Sequence, residues 1–198
     1  MPSNSSLSPL FTYINRFVDL TEEEKGILAS QVTVRKYLKN QFIVQQGDVC
    51  RFESFILTGC ARAFHVDNEG QEHIVMLAIE NWWISDLGSY LSQSPAFYNV
   101  QCLEATEVVQ FPFENLELLY EKIPKLERFF RIIIQKAFVS SEKRIVRNLS
   151  LSAKDRYLEF RKQYPAIEQR VPQYMIASYL GMTKEFLSKV RSQLISDQ

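Results

Sequence analysis

The sequence predicts an α+β fold: an N-terminal helical region, an antiparallel β-roll of jelly-roll type with flanking helices, one long helix, and an all-α C-terminal end. Three observations predict it. Between Val34 and Phe113, short apolar runs alternate with turns marked by glycine. After Pro112 the apolar spacing lengthens to threes and fours and keeps that period as far as Leu149. Near the C-terminus Ala177 and Gly181 stand four apart among apolar positions, the pattern of two short helices crossing at a tight turn.

Residues 7–30 read as helical. Thr21 is a good cap for the acidic turn Glu22-Glu23-Glu24, and Leu28 and Val32 give part of an apolar face. The strand-like runs then follow in order. Gln41–Val44 leads into the turn Gln46-Gly47-Asp48, and Phe52–Leu57 leads into Thr58-Gly59. Ala61–Val66 and His73–Ile79 flank Asp67-Asn68-Glu69-Gly70, a hairpin signal. Val100–Leu103 and Glu107–Phe111 complete the set, and many short strands at near-regular spacing imply a roll or barrel.

Asn115–Glu121 predicts a short helix that stops near Pro124. The long helix beyond it carries Leu126, Phe129, Phe130, Ile133, Ile134, Ala137, Phe138, Ile145 and Leu149 as a stripe. Ile132, Ile133 and Ile134 are consecutive, so the apolar surface wraps past a single face and needs cover on two sides. One side suits the roll and the other suits a second copy of the helix, which predicts a homodimer. Ser152 caps the next helix, which runs to Gln163 and stops before Pro165; Pro172 opens the final helical pair. The implied division is a roll over 1–113, a short helix and a long dimerisation helix over 114–150, and a helix-turn-helix domain over 151–198.

Composition narrows the function classes. With 46% hydrophobic and 23% charged residues in 198, the chain has material for a sizeable core. No apolar run reaches the roughly 18–20 residues of a membrane span, and Met1–Leu10 lacks the features of a secretory leader, so the expectation is a cytoplasmic protein with no membrane partner. Cys50, Cys60 and Cys102 are unclustered, which argues against a disulfide framework and against a zinc or iron–sulfur site. His65 and His73 lie on neighbouring runs and can face each other, but with no third ligand they make a poor metal site. No metal is expected, and no catalytic residues: there is no phosphate-binding glycine loop, triad spacing or Cys–His pairing. The net charge of zero conceals an asymmetry, with 12 basic and 17 acidic side chains in residues 1–140 but 11 basic and 6 acidic in 141–198. A basic C-terminal third suits a polyanion.

The stretch Gln173–Arg191 carries most of the functional signal. Ala177 is the small residue a helix crossing requires, and Gly181 supplies a turn in the left-handed region. Ile176, Leu180, Met182, Leu187 and Val190 form the apolar set, and Thr183 is a good N-cap. Thr183, Lys184, Glu185, Ser188 and Lys189 then fall on the exposed face, the early ones at the end that enters a major groove. Lysine donates to guanine, glutamate accepts from cytosine, and hydroxyls reach bases or phosphates. Arg191 suits a backbone phosphate, and Gln173, opening the first helix of the pair, completes the DNA-binding set.

The order of roll, long helix and helix-turn-helix resembles the Crp/Fnr superfamily of bacterial regulators from about Leu10 onward. The most specific match runs from Val171 through Ala177, Gly181 and Thr183 to Ser188, and Gln46-Gly47-Asp48 and Leu57-Thr58-Gly59 are similar to the family's first glycine turns. The resemblance implies a cyclic-nucleotide-binding-like sensor, a homodimer on double-stranded DNA, contact with RNA polymerase, and an unidentified small-molecule effector with no fixed cofactor. It implies a two-state dimer in which a signal in the roll resets the distance between recognition helices, matched to half-sites about 34 Å apart.

Ser85-Asp86-Leu87-Gly88 looks like the segment that contacts ribose and phosphate in nucleotide-binding members. The candidate ligand residues are therefore Ser85, Asp86 and Leu87 with Tyr98 and Asn99; Trp83, beside Trp82, could add a flat wall. Two departures from the family matter. Pro95–Asn99 lacks the arginine that holds the cyclic phosphate, and a buried phosphate without a cation is strongly disfavoured, so cyclic AMP binding in the usual mode is expected to be lost or very weak. The sequence also stops at Gln198, where many members add a β-hairpin wing, which predicts an end lacking that wing. Two rivals stand beside this reading. One is a ligand-sensing or protein-binding module whose degenerate helix-turn-helix does not bind DNA, and the other is a cupin-type enzyme, which would need metal ligands on its strands.

Overall fold

The computed structural model describes residues 5–196, and the fold is the predicted α+β arrangement. The N-terminal region is two helices, α1 (Ser8–Ile14) and α2 (Glu22–Gln31). They are separate because Thr21 starts a new helix with a reciprocal cap: Glu24 N–H donates to Thr21 Oγ1 at 3.2 Å, and Thr21 N–H donates to a Glu24 carboxylate oxygen at 2.7 Å.

Eight strands follow: β1 (Thr33–Tyr37), β2 (Phe42–Val44), β3 (Phe52–Thr58), β4 (Ala61–Val66), β5 (Glu72–Ala78), β6 (Trp83–Ile84), β7 (Asn99–Cys102) and β8 (Thr106–Pro112). Helix α3 (Leu87–Ser92) interrupts them. They form two antiparallel four-stranded sheets, ordered β1-β8-β3-β6 and β2-β7-β4-β5. The Asp67–Gly70 hairpin joins β4 to β5, its carboxylate accepting from Glu69 and Gln71 N–H at 2.9 Å. His65 and His73 are paired across it, and His73 Nε2 lies 2.6 Å from Asp67 Oδ2. Gly59, at the tight β3–β4 connection, has φ +104°, and a Cβ there would come within 2.5 Å of Thr106 Oγ1 and 2.7 Å of Thr106 Cα. Conformation and space therefore both require glycine.

A 3-10 turn at Phe113–Asn115 leads into α4 (Leu116–Lys122) and α5 (Lys125–Ser150). The C-terminal helices are α6 (Ala153–Gln163), α7 (Pro165–Arg170), α8 (Gln173–Tyr179) and α9 (Lys184–Ser196). The missing-wing expectation concerns chain beyond α9 and lies outside the described residues.

There are two cores. The first fills the space between the sheets and under the helices, joining Phe55, Ile56, Val108 and Phe111 to Leu10, Ile14, Leu28 and the start of α5 at Leu126, Phe129 and Phe130. The second lies on the outer side of the β2-β7-β4-β5 sheet. There Phe64, Ile74 and Leu77 pack with Tyr157, Phe160, Ile167, Met175, Ile176, Leu180, Leu187 and Val190 of α6–α9. Helix α5 buries apolar side chains only along its first turns, at Leu126, Phe129 and Phe130. Beyond them Ile134, Phe138, Ile145 and Leu149, spaced four, seven and four, stand in solvent, Leu149 at 84% exposure.

Candidate nucleic-acid interface and sensor segment

Helices α8 and α9 cross through a four-residue turn. Gly181, at φ +66°, has open space beside it, so its backbone conformation alone requires glycine. Met182 N–H reaches back to Ala177 C=O at 3.0 Å, where the small side chain lets the turn close. Thr183 caps α9: its Oγ1 accepts from Phe186 N–H at 3.2 Å and its carbonyl accepts from Leu187 N–H at 3.0 Å. Ile176, Ala177, Leu180, Leu187 and Val190 are buried. Thr183, Lys184, Glu185, Ser188, Lys189 and Arg191 are all exposed. At 3.6 residues per turn Glu185, Ser188 and Lys189 fall opposite the buried seam, while Lys184 and Arg191, seven apart, share one flank. Gln173 stands apart from this group, half-buried in the first turn of α8 with its side-chain oxygen enclosed and unpartnered among the described residues.

The helix pair rests directly on the roll. Ser178 Oγ accepts from Ile74 N–H at 3.0 Å, so a side chain of α8 satisfies a backbone donor of β5. Arg170, just before α8, donates to both oxygens of Glu80 at 2.7 and 3.0 Å and to Glu104. Glu80 also accepts from Gly59 N–H at 2.8 Å, and the Arg170 guanidinium holds its carboxyl below the usual carboxylate range. Arg144 of α5 donates to Val75 C=O and lies over the Tyr179 ring. None of these joins was foreseen. One signal for them was available: Ile74–Ala78 is an unbroken apolar run, as expected of a strand covered on both faces.

In the sensor segment, all six candidate ligand residues are engaged within the roll. Asp86, 3% exposed, caps α3 through Ser89 N–H at 2.9 Å and accepts from Phe97 N–H at 2.6 Å and Tyr98 N–H at 3.3 Å. Its carboxylate thus gathers three backbone donors in a place suited to an anion. Ser85 Oγ donates to Glu53, a carboxyl whose burial pushes its pKa up to about 7 against the lowering effect of that bond. Tyr98 Oη donates to Ser85 C=O at 3.0 Å, and Asn99 Oδ1 accepts from Gln46 N–H at 3.0 Å. Leu87 packs against the first core. Trp83 packs in tilted and edge-on contact with Phe55, Phe111 and Phe130 at 5.1–5.4 Å between ring centres, which makes it a wall of the core and not of an open pocket. The three cysteines are buried and unbridged, and burial raises each thiol's pKa. Among the described residues no group of three or more His, Cys, Asp or Glu is placed to hold a metal ion, and no helix is long and apolar enough to cross a membrane.

Residues 34–122 match the family described as the cyclic nucleotide-binding domain. The transcriptional activator protein anr of Pseudomonas aeruginosa is 26% identical, the match covering 93% of this chain and 78% of that one. The anaerobic regulatory protein of Haemophilus influenzae is 24% identical over 86% of this chain and 70% of its own. In fold, the c-di-GMP responsive global regulator CLP of Xanthomonas campestris superposes with a TM-score of 0.73 at 13% identity, covering 89% of this chain and 93% of that one.

Proposed function

We propose that this chain, a transcriptional regulator of the Crp/Fnr type, works as a homodimer that sets one α9 from each protomer in the major groove of double-stranded DNA. One observation carries the reading. Helix α9 is anchored by buried Leu187 and Val190, while Thr183, Lys184, Glu185, Ser188 and Lys189 remain exposed around its capped first turns. That is the arrangement a recognition helix needs to bring base-reading side chains to a groove. The exposed stripe Ile134, Phe138, Ile145 and Leu149 on α5 supports the dimer, since a second copy of the same stripe would cover it. In this reading residues 1–113 sense, 114–150 dimerise and 151–198 bind DNA. Lys184, Glu185, Ser188 and Lys189 read bases, with Arg191 and Thr183 near phosphates. The protein acts in the cytoplasm, where its DNA and RNA polymerase are.

The decisive experiment is binding to random-sequence duplex DNA across a salt series. Each neutralised phosphate steepens the log–log slope by about 0.9, so several contacts per protomer give a steep negative line. Affinity that does not change with salt would favour a helical pair reserved for a protein partner.

The sensor does not hold cyclic AMP in the family's usual mode. Asp86 already takes the amides of Ser89, Phe97 and Tyr98, and Pro95–Asn99 contains no cation to offset a second anion beside it. Calorimetry with cyclic AMP should show no micromolar binding; a micromolar isotherm would overturn this part.

A further inference from the structure

Phe186 has no place in the polar contacts assigned so far. It sits in the first turn of α9 with its backbone N–H held by Thr183 Oγ1 at 3.2 Å, and its side chain is 47% exposed. The core does not need it: the buried seam of α9 is Leu187 and Val190, at 0% and 3% exposure, and Phe186 lies off that line. Intrinsic propensity does not call for it either, since phenylalanine is only a middling helix former. It sits at the border between that seam and the exposed face. On its own flank of the helix, Thr183 and Lys189, three residues away on either side, are exposed, while Met182 and Val190, four away, turn toward the core. A large apolar ring is therefore left half-exposed at the groove-entering end of α9, at the edge of the face that carries Lys189.

The floor of the major groove offers one strongly apolar feature, the C5-methyl of thymine, and aromatic rings are among the side chains that meet it. We infer that Phe186 reads sequence by packing against the 5-methyl group of a thymine in each half-site. The inference rests on α9 being the recognition helix and adds to it a specificity that the lysines, the glutamate and the serine cannot supply. Hydrogen bonding reads the donors and acceptors of the base edges, thymine O4 among them, whereas an apolar ring selects for the methyl group.

The test uses the full-length protein as wild type, F186A and F186L. Each is taken through selection from a random-sequence duplex pool. The recovered duplexes are then remade with single thymines replaced by uracil, which removes the methyl and leaves every hydrogen-bonding edge intact. Burying one methyl is worth about fourfold in affinity, or roughly 0.8 kcal/mol at 1.4 kcal/mol per tenfold. Wild type should lose about fourfold at one thymine per half-site and about sixteenfold when both are replaced. F186A should bind thymine and uracil duplexes alike, and F186L should keep part of the difference. Wild-type binding indifferent to uracil at every position, or F186A as sensitive as wild type, overturns the inference while leaving DNA binding intact. A pool that never enriches, with affinity flat in salt, instead removes the reading beneath it.

Discussion

Replacing Arg170 by methionine tests the join between the helical pair and the roll. The substitution keeps most of the apolar stem and deletes the guanidinium, and with it two contacts to Glu80 and one to Glu104. Hydrogen bonds to charged groups contribute about 1.5–3 kcal/mol each when fully desolvated. Here the side chains are 27% exposed for Arg170, 35% for Glu80 and 41% for Glu104, so solvent screening moves each contact toward the 0.2–1 kcal/mol of exposed pairs. A loss of about 0.6–3 kcal/mol for the three contacts together follows. Glu80 keeps Gly59 N–H, so it is not left without a donor. Urea unfolding of the wild type, R170M, E80Q and the double variant supplies the energies, and the double-mutant cycle should return a coupling of about 1 kcal/mol. The pH dependence adds a second check. Because Arg170 lowers the Glu80 pKa in the folded state, the stabilisation is present above the ordinary carboxylate range and fades as pH falls through the lowered value. The gap between wild type and R170M should therefore be widest near about pH 7 and narrow toward about pH 3. A gap under about 0.5 kcal/mol at neutral pH, or one that does not change with acid, would refute the assignment of this cluster as a stabilising join.

Further outcomes follow from other parts of the molecule. Gly59→Ala meets both a positive φ and Thr106 and should cost about 2–4 kcal/mol; Gly181→Ala meets only the backbone strain and should cost about 1–2, an order that urea midpoints will show. Glu53 has its pKa raised by burial to about 7, so wild-type stability should fall as pH rises from the ordinary glutamate range to about 7 and level off above it. E53Q should flatten that slope in unfolding curves taken across pH. Lys184→Ala or Lys189→Ala should weaken binding to a selected duplex by about 1–3 kcal/mol if the lysine reads a base; unchanged affinity in both variants would move the reading face elsewhere. Leu149→Glu, placed on the exposed stripe of α5, should shift sedimentation from dimer toward monomer, and an unchanged oligomeric state would remove α5 as the interface.

Much of the fold could be read from residues because local chemistry dictated it. Gly47, Gly59 and Gly70 all adopt positive φ at turns where the sequence shows breaks between strands, and Asp67 ties its hairpin with its own carboxylate. The helix pair was legible for the same reason, since Ala177, Gly181 and Thr183 act within a few residues of one another. What escaped was mostly exposed, very short or non-local: β1, Thr-Val-Arg-Lys-Tyr, has no fully buried residue to mark it as a strand. Strand β6 is two residues long and α3 six, below the length at which periodicity speaks. The roles of Ser85, Asp86, Tyr98 and Asn99 depend on partners such as Glu53, Phe97 and Gln46, whose proximity only the closed roll creates. Arg170, Glu80 and Glu104 likewise carry no pattern in sequence and meet only when α7 lies against the second sheet.

That second sheet has a consequence for modularity. The helical end does not enclose its own apolar interior: Phe64, Ile74 and Leu77 of the roll close it, with Ser178 knitted into the β5 backbone. Excised at residue 151, the segment would bare Met175, Ile176 and Val171 to water and should aggregate or melt, unlike a self-contained reading head. Grafting it onto a foreign sensor would succeed only if the graft brought the outer faces of β4 and β5 with it. The roll and the helical end are therefore not two beads on a string but two halves of one fold, which must loosen or hold together.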